Sequence, residues 1–263
     1  EMSIAGARLG LTATPSADRE GAARLDQLLG PVVYELVIQD LAGRFLADFD
    51  LMTITVDLTP EERQRYEEEM ARFRPVFRQF RRMCPGASWT DFIGSAYRTP
   101  EGRQAVESWR RARRMLAFTR GKADALGRLL QRHRDARVLV FTADNETAYA
   151  IARKHLIMPI TCDIGRPERE EVLERFRKGE LRALVSARVL NEGLDVPAAD
   201  VAIVVGGTQG QREHVQRVGR ILRPSPGKRA LVLELVVRRS GEVFQARNRR
   251  KGLVSRQAAP MRM

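Results

Sequence analysis

Arg217, Arg220 and Arg223 stand three residues apart, with Gln216 beside them and Gly219 among them. On a helix this spacing lines the guanidinium groups along one stripe, and the glycine lets a second backbone come close. Such a stripe suits an anion. The planar guanidinium fork matches phosphate, and arginines delivered by one domain to a nucleotide held by another neutralise charge during phosphoryl transfer. A basic helix is equally often a solvated face, so the stripe takes its meaning from the segments around it.

Charge points the same way. A formal net charge of +13 on 263 residues implies a polyanionic partner, nucleic acid before an anionic membrane surface. The chain is long enough for more than one domain. No apolar run approaches the roughly 18 residues of a membrane span, and the first residues lack a signal-peptide layout, so a cytoplasmic, membrane-free protein is expected. Cys84 and Cys162 are far apart and His133, His155 and His214 are scattered, so neither a disulfide framework nor a metal site is assigned.

The elements that must position these residues read as follows. Residues 8–13 look like a short buried strand, followed by a helix to about Leu29 and a strand over 32–37. Alternation over 50–58 predicts a strand with one buried face. Thr59, Pro60 and Glu62 predict a helix start with a capping box, and Tyr66, Met70, Phe73, Phe77 and Phe80 form one apolar stripe beyond it, with a kink expected at Pro75. Residues 84–99 read as loop, and 101–118 as a second helix with Val106, Trp109 and Leu116 inward. Its other face carries Arg110, Arg111, Arg113 and Arg114, so the two helices make a basic hairpin able to grip a phosphate backbone. From residue 119 apolar strands alternate with amphipathic helices, including a helix over 211–221, and this predicts an α/β unit with a parallel sheet covered on both faces. The arginine-rich stretch after Ser240 reads as a frayed basic tail. The expected division is 1–48, 49–118, 119–240 and 241–263.

Three segments then line up in order: Leu11-Thr12-Ala13-Thr14-Pro15; the run from Ser186 through Gly193, Asp195 and Pro197; and the arginine stripe. In this order they resemble motifs III, V and VI of superfamily 2 helicases and translocases, with Val138 to Thr142 similar to motif IV. Within that superfamily the chain resembles the XPB-type DNA helicases in their archaeal and bacterial form. The resemblance covers nearly the whole chain, including the helical insertion in the place of the family's thumb-like element and Gly241-Glu242-Val243. Two departures stand out. The family's Arg-Glu-Asp triplet is replaced by Ala17-Asp18-Arg19-Glu20, so its unwinding role is not carried over, and Asn191 stands where Asp is common. No Gly-x-x-x-x-Gly-Lys-Ser/Thr loop and no Asp-Glu-x-His segment occurs, so the reading is of a helicase C-terminal half that begins at the end of a first RecA-like domain.

What the resemblance implies is an ATP site, with Mg2+ held by an N-terminal motor domain not in this sequence. Arg220 and Arg223 would reach the phosphates and Gln216 would order the finger or the attacking water. Gly193, Asp195, Arg217 and Gly219 would bind the nucleotide. Thr12, Thr14, Thr142 and Ser186 would couple hydrolysis to DNA grip, and Arg110, Arg111 and Arg114 would contact DNA independently of sequence. A 3′ to 5′ polarity, a role in DNA repair and a nuclease partner are family properties of the same standing. Two other readings fit the same residues: another double-stranded DNA translocase, such as a remodeller or restriction-type motor, and a non-catalytic nucleic-acid-binding module.

Overall fold

Four of the six strands in the computed structural model, Val138–Thr142, Ala183–Ala187, Val201–Val204 and Arg229–Val237, are mostly buried along the segments for which side-chain burial is described, as their near-continuous apolar sequences require. The structure describes residues 7–11, 19–34, 48–187, 199–206 and 229–251. The strands are β1 (Asp48–Val56), β2 (Val138–Thr142), β3 (Met158–Ile160), β4 (Ala183–Ala187), β5 (Val201–Val204) and β6 (Arg229–Val237). They form one sheet in the order β1-β6-β5-β2-β4-β3, parallel throughout. The helices are α1 (Arg19–Leu29), α2 (Pro60–Met83), α3 (Trp89–Ala96), α4 (Pro100–Ala117), α5 (Arg120–Arg132), α6 (Asn145–His155), α7 (Arg166–Arg177) and α8 (Gly241–Lys251). Among the described residues no helix is long and apolar enough to cross a membrane.

Helices cover both faces of the sheet. Leu139, Phe141, Leu184 and Val232 pack under Val172, Leu173 and Phe176 of α7, while Val140, Val185, Ile203 and Leu235 pack under Leu126 of α5, Ile151 of α6 and Leu116 of α4. Burying a side chain such as Phe176 contributes about 2–3 kcal/mol relative to leaving it in water. A third cluster, Phe73, Phe92, Ala96, Ala105 and Val106, lies within the helical insertion.

The insertion is rooted by one carboxylate. Thr59 caps α2 as its sequence predicts: the Thr59 hydroxyl accepts from the Glu62 amide at 3.2 Å, and the Glu62 carboxylate accepts from the Thr59 amide at 3.0 Å. The other Glu62 oxygen accepts from the Arg120 amide at 2.9 Å, so the start of α2 and the start of α5 are held together. Gly121 is required there, because a Cβ on it would lie 2.5 Å from the Asp57 carbonyl oxygen. α2 runs through Pro75 as one element.

Five expectations change. Residues 89–96, within the stretch read as loop, form α3, because Ser88 and Asp91 make a second capping box and Phe92 and Ala96 are buried beneath it. β1, placed by the sequence in a connecting segment, is the edge strand of the sheet and pairs with β6 along all nine residues. The stretch read as a frayed tail is helical as far as Lys251, because Glu242 is drawn inward and Ala246 is buried. Residues 7–11 are not in a strand: Leu9 and Leu11 are exposed, and no strand pairs with them among the described residues. Residues 32–34 are likewise not a strand, while 35–37 and the helix expected over 211–221 lie outside the described residues.

Candidate nucleic-acid interface

In a parallel sheet ligands collect at the carboxyl ends of the strands. There β2 ends on Thr142, fully buried, whose hydroxyl donates to the Asp144 carbonyl at 2.9 Å and the Ser186 carbonyl at 3.4 Å. Thr142 and Ser186, expected to act together, are therefore adjacent. The buried Ser186 hydroxyl has no hydrogen-bond partner among the described residues. Asp144 then caps α6, its carboxylate accepting from the Thr147 amide at 2.7 Å.

Facing this end of β2 is the basic side of α4. Between them lies a groove of about 540 Å³, lined by Arg110, Arg113 and Arg114 on one side and Ala143 and Asp144 on the other. The arginines are not equivalent. Arg114 is exposed, while the Arg110 guanidinium lies 5.7 Å above the Tyr97 ring and that of Arg113 lies 4.6 Å above Trp109. Arg111 lines the groove too, yet its guanidinium donates to both Glu69 oxygens, at 2.8 and 3.0 Å, and to the Ser108 hydroxyl at 2.8 Å. Its first role is to pin α4 to α2. Since Phe73, further along α2, meets Trp109, earlier on α4, the two helices are antiparallel.

The Arg111 fork, helped by Ser108, holds the Glu69 carboxyl down to about 2 from its ordinary 4.5. A lowered carboxyl stabilises the fold above the unfolded value of 4.5, and that contribution is lost as the pH falls towards 2. Because Arg111 is 39% exposed, the pair is discounted to a modest value. Glu69→Gln is expected to cost about 1–2 kcal/mol at neutral pH and much less inside the acid window. Urea unfolding at the two pH values measures this, and an equal loss at both would show that the Glu69 charge is not what binds the helices.

The remaining predicted residues are placed differently. Thr12, Thr14, Gly193, Asp195, Gln216, Arg217, Gly219, Arg220 and Arg223 lie outside the described residues. The chain does leave β4 at Ala187 and β5 at Val204 on the same carboxyl edge, directly before the two segments that carry most of them. Among the described residues no cluster of acidic, histidine and cysteine side chains is arranged to hold a metal ion. Sequence reasoning did not single out Glu69, Asp144 or the pair Lys122 and Glu242. Asp144 had a signal, an acidic residue directly before a helical run, whereas the long-range pairs had none.

Residues 121–225 match the family described as helicase conserved C-terminal domain. The DNA 3′-5′ translocase XPB2 of Sulfurisphaera tokodaii is 35% identical over 247 residues, 93% of this chain and 56% of the relative. An alignment of that extent takes in the helical insertion as well as the sheet. This chain carries a helicase C-terminal domain and is similar over nearly its whole length to an XPB-type protein. The DNA 3′-5′ helicase XPB of Mycobacterium tuberculosis is 28% identical over 94% of the chain and 38% of that protein. The chain thus spans about half or less of the length of these XPB relatives. The Hef helicase domain of Pyrococcus furiosus is alike in fold, with a TM-score of 0.53, 18% identity, and 89% of this chain and 65% of that one covered. In this helicase C-terminal domain the RecA-like sheet carries the basic insertion between its first and second strands.

Proposed function

We propose that this chain is the second motor domain of an ATP-dependent DNA helicase or translocase moving 3′ to 5′, working in the cytoplasm with an upstream RecA-like domain. The observation that carries the reading is the arginine groove against the carboxyl end of β2, where α4 brings cations to the strand edge that also leads into the motif V and motif VI segments. Arg220 and Arg223 act on the phosphates of ATP, and Gln216 orders the finger or the attacking water. Gly193, Asp195, Arg217 and Gly219 form this domain's share of the nucleotide site. The unpartnered Ser186 hydroxyl fits a polar loop or ligand at that edge. Magnesium ligands and the phosphate loop come from the upstream domain. Thr12, Thr14, Thr142 and Ser186 relay the nucleotide state to the groove, and repair-linked unwinding, with a nuclease as partner, is the setting of this proposal.

The groove makes the DNA part testable in this chain. Backbone contacts by arginine give binding that ignores sequence and weakens with salt. Fluorescence anisotropy across a salt series is expected to give equal affinity for two unrelated sequences. Arg114→Ala should reduce the slope of log affinity against log salt by about one. Binding that discriminates between the sequences, or that ignores salt, would contradict the reading.

A further inference from the structure

α3 brings two aromatic side chains to the rim of the arginine groove. Trp89 opens the helix and is 40% exposed, and Tyr97 closes it and is 39% exposed. The aromatics behind Trp89 are buried: Phe92 meets it at 5.2 Å between ring centroids and Phe73 at 6.2 Å. Each exposed ring also lies one contact from the groove. Trp89 is 4.5 Å from Trp109, which lines the groove under the Arg113 guanidinium, and Tyr97 lies under Arg110, which lines it as well. The rim therefore interleaves cations with flat apolar rings.

Phosphates account for the cations but not for the rings. The part of a nucleic acid that matches a flat apolar face is the face of a base, and in a duplex that face is covered by its neighbours. An unpaired strand presents both features in alternation, charge along the backbone and stacking surface on each base, and groove-plus-aromatic surfaces bind such strands with little regard to sequence. We propose that Trp89 and Tyr97 form a stacking platform for the unpaired bases of a single DNA strand whose phosphates lie along Arg110, Arg113 and Arg114. This rests on the DNA reading of the groove and adds to it the strandedness of the ligand. α3 is thus a recognition element, and the groove selects an opened strand over a closed duplex.

Trp89 and Trp109 are the two tryptophans of the chain, so intrinsic fluorescence reports directly on the platform. The 263-residue chain is titrated with oligothymidylate, with an abasic deoxyribose-phosphate strand of the same length and with a blunt duplex, each over a salt series. Oligothymidylate is expected to quench the fluorescence and to bind roughly tenfold more tightly than the abasic strand at a similar salt slope. The duplex is expected to bind without quenching. Trp89→Leu should lower oligothymidylate affinity by about five- to tenfold and leave abasic binding unchanged, with a smaller loss for Tyr97→Leu. Equal, salt-dependent binding of oligothymidylate and the abasic strand would overturn the platform and leave the groove standing. Binding of none of the three would remove both. A Trp89→Leu variant that loses both strands alike would assign Trp89 to holding α3 in place and overturn the proposal. The comparison of strands on the unaltered chain decides the matter even if that variant does not fold.

Discussion

Arg220→Ala, introduced into a protein that carries both motor domains, is expected to slow DNA-stimulated ATP turnover by about 10³-fold or more while leaving DNA affinity within twofold. The size follows from the chemistry. Phosphoryl transfer leaves a protein little covalent work to do, and most of its effect comes from placing positive charge where negative charge spreads over the phosphate oxygens. Arg220 and Arg223 stand three residues apart in the sequence, so Arg223 remains but cannot occupy the same place. Arg220→Lys is expected to recover little, because a point charge does not reproduce the planar fork. DNA affinity should be spared because the groove draws its cations from α4. This chain by itself contains no Gly-x-x-x-x-Gly-Lys-Ser/Thr loop, so it should not turn over ATP until the upstream domain is supplied. Turnover within a few-fold of the parent, or DNA affinity falling in parallel, would take Arg220 out of the finger role.

Glu242→Ala is expected to destabilise the fold by about 3–5 kcal/mol. The Lys122 ammonium is fully buried and donates to the Leu116 carbonyl and to Glu242, both at 2.7 Å. The other Glu242 oxygen accepts from the Val237 amide at 2.9 Å. The carboxylate thus joins the start of α5, the end of β6 and the start of α8, and through the Lys122 ammonium the end of α4 is tied to them. Removing it leaves a positive charge in the interior without its counter-charge, and that desolvation penalty, rather than the lost attraction, sets the magnitude. Thermal unfolding should fall by roughly 10 °C. The paired replacement Lys122→Met with Glu242→Leu removes both charges and is expected to return most of the loss. If Glu242→Ala costs less than about 1 kcal/mol, the buried charge is being satisfied in another way.

Legibility of the fold followed the range of the interactions. The capping box at Thr59 and Glu62 and the stripe from Tyr66 to Phe80 are local patterns, and both are present as read. The parallel sheet was visible because strands covered on both faces must be apolar throughout. α3 also had its local signal, Ser88 three residues before Asp91, but Gly86, Gly94 and Pro100 around a short helix weighed towards loop. What Lys122 and Glu242 do was not readable, because a pairing across 120 residues leaves no periodicity. Arg111 had the same difficulty. Its neighbours on α4 mark it as a cation of the basic face, whereas Glu69 on α2 decides that it is a strut. The groove was legible as a basic face and not as a groove, since its other wall, Ala143 and Asp144, comes from the end of β2.

The pairing of β1 with β6 has a mechanical meaning. The helical insertion leaves β1 at Val56, the preceding chain enters it at Asp48, and both therefore pull along the axis of the strand. Its nine-residue partner runs parallel beside it, joined by evenly spaced hydrogen bonds. In the proposed motor, a pull on the insertion balanced by the chain before Asp48 runs through the covalent backbone of β1, and only an unbalanced pull loads the ladder to β6, lengthwise, so that its bonds share it together instead of opening one after another. The first strand of the sheet is in this sense a tendon, joining the insertion to the chain before Asp48 without peeling the edge of the sheet.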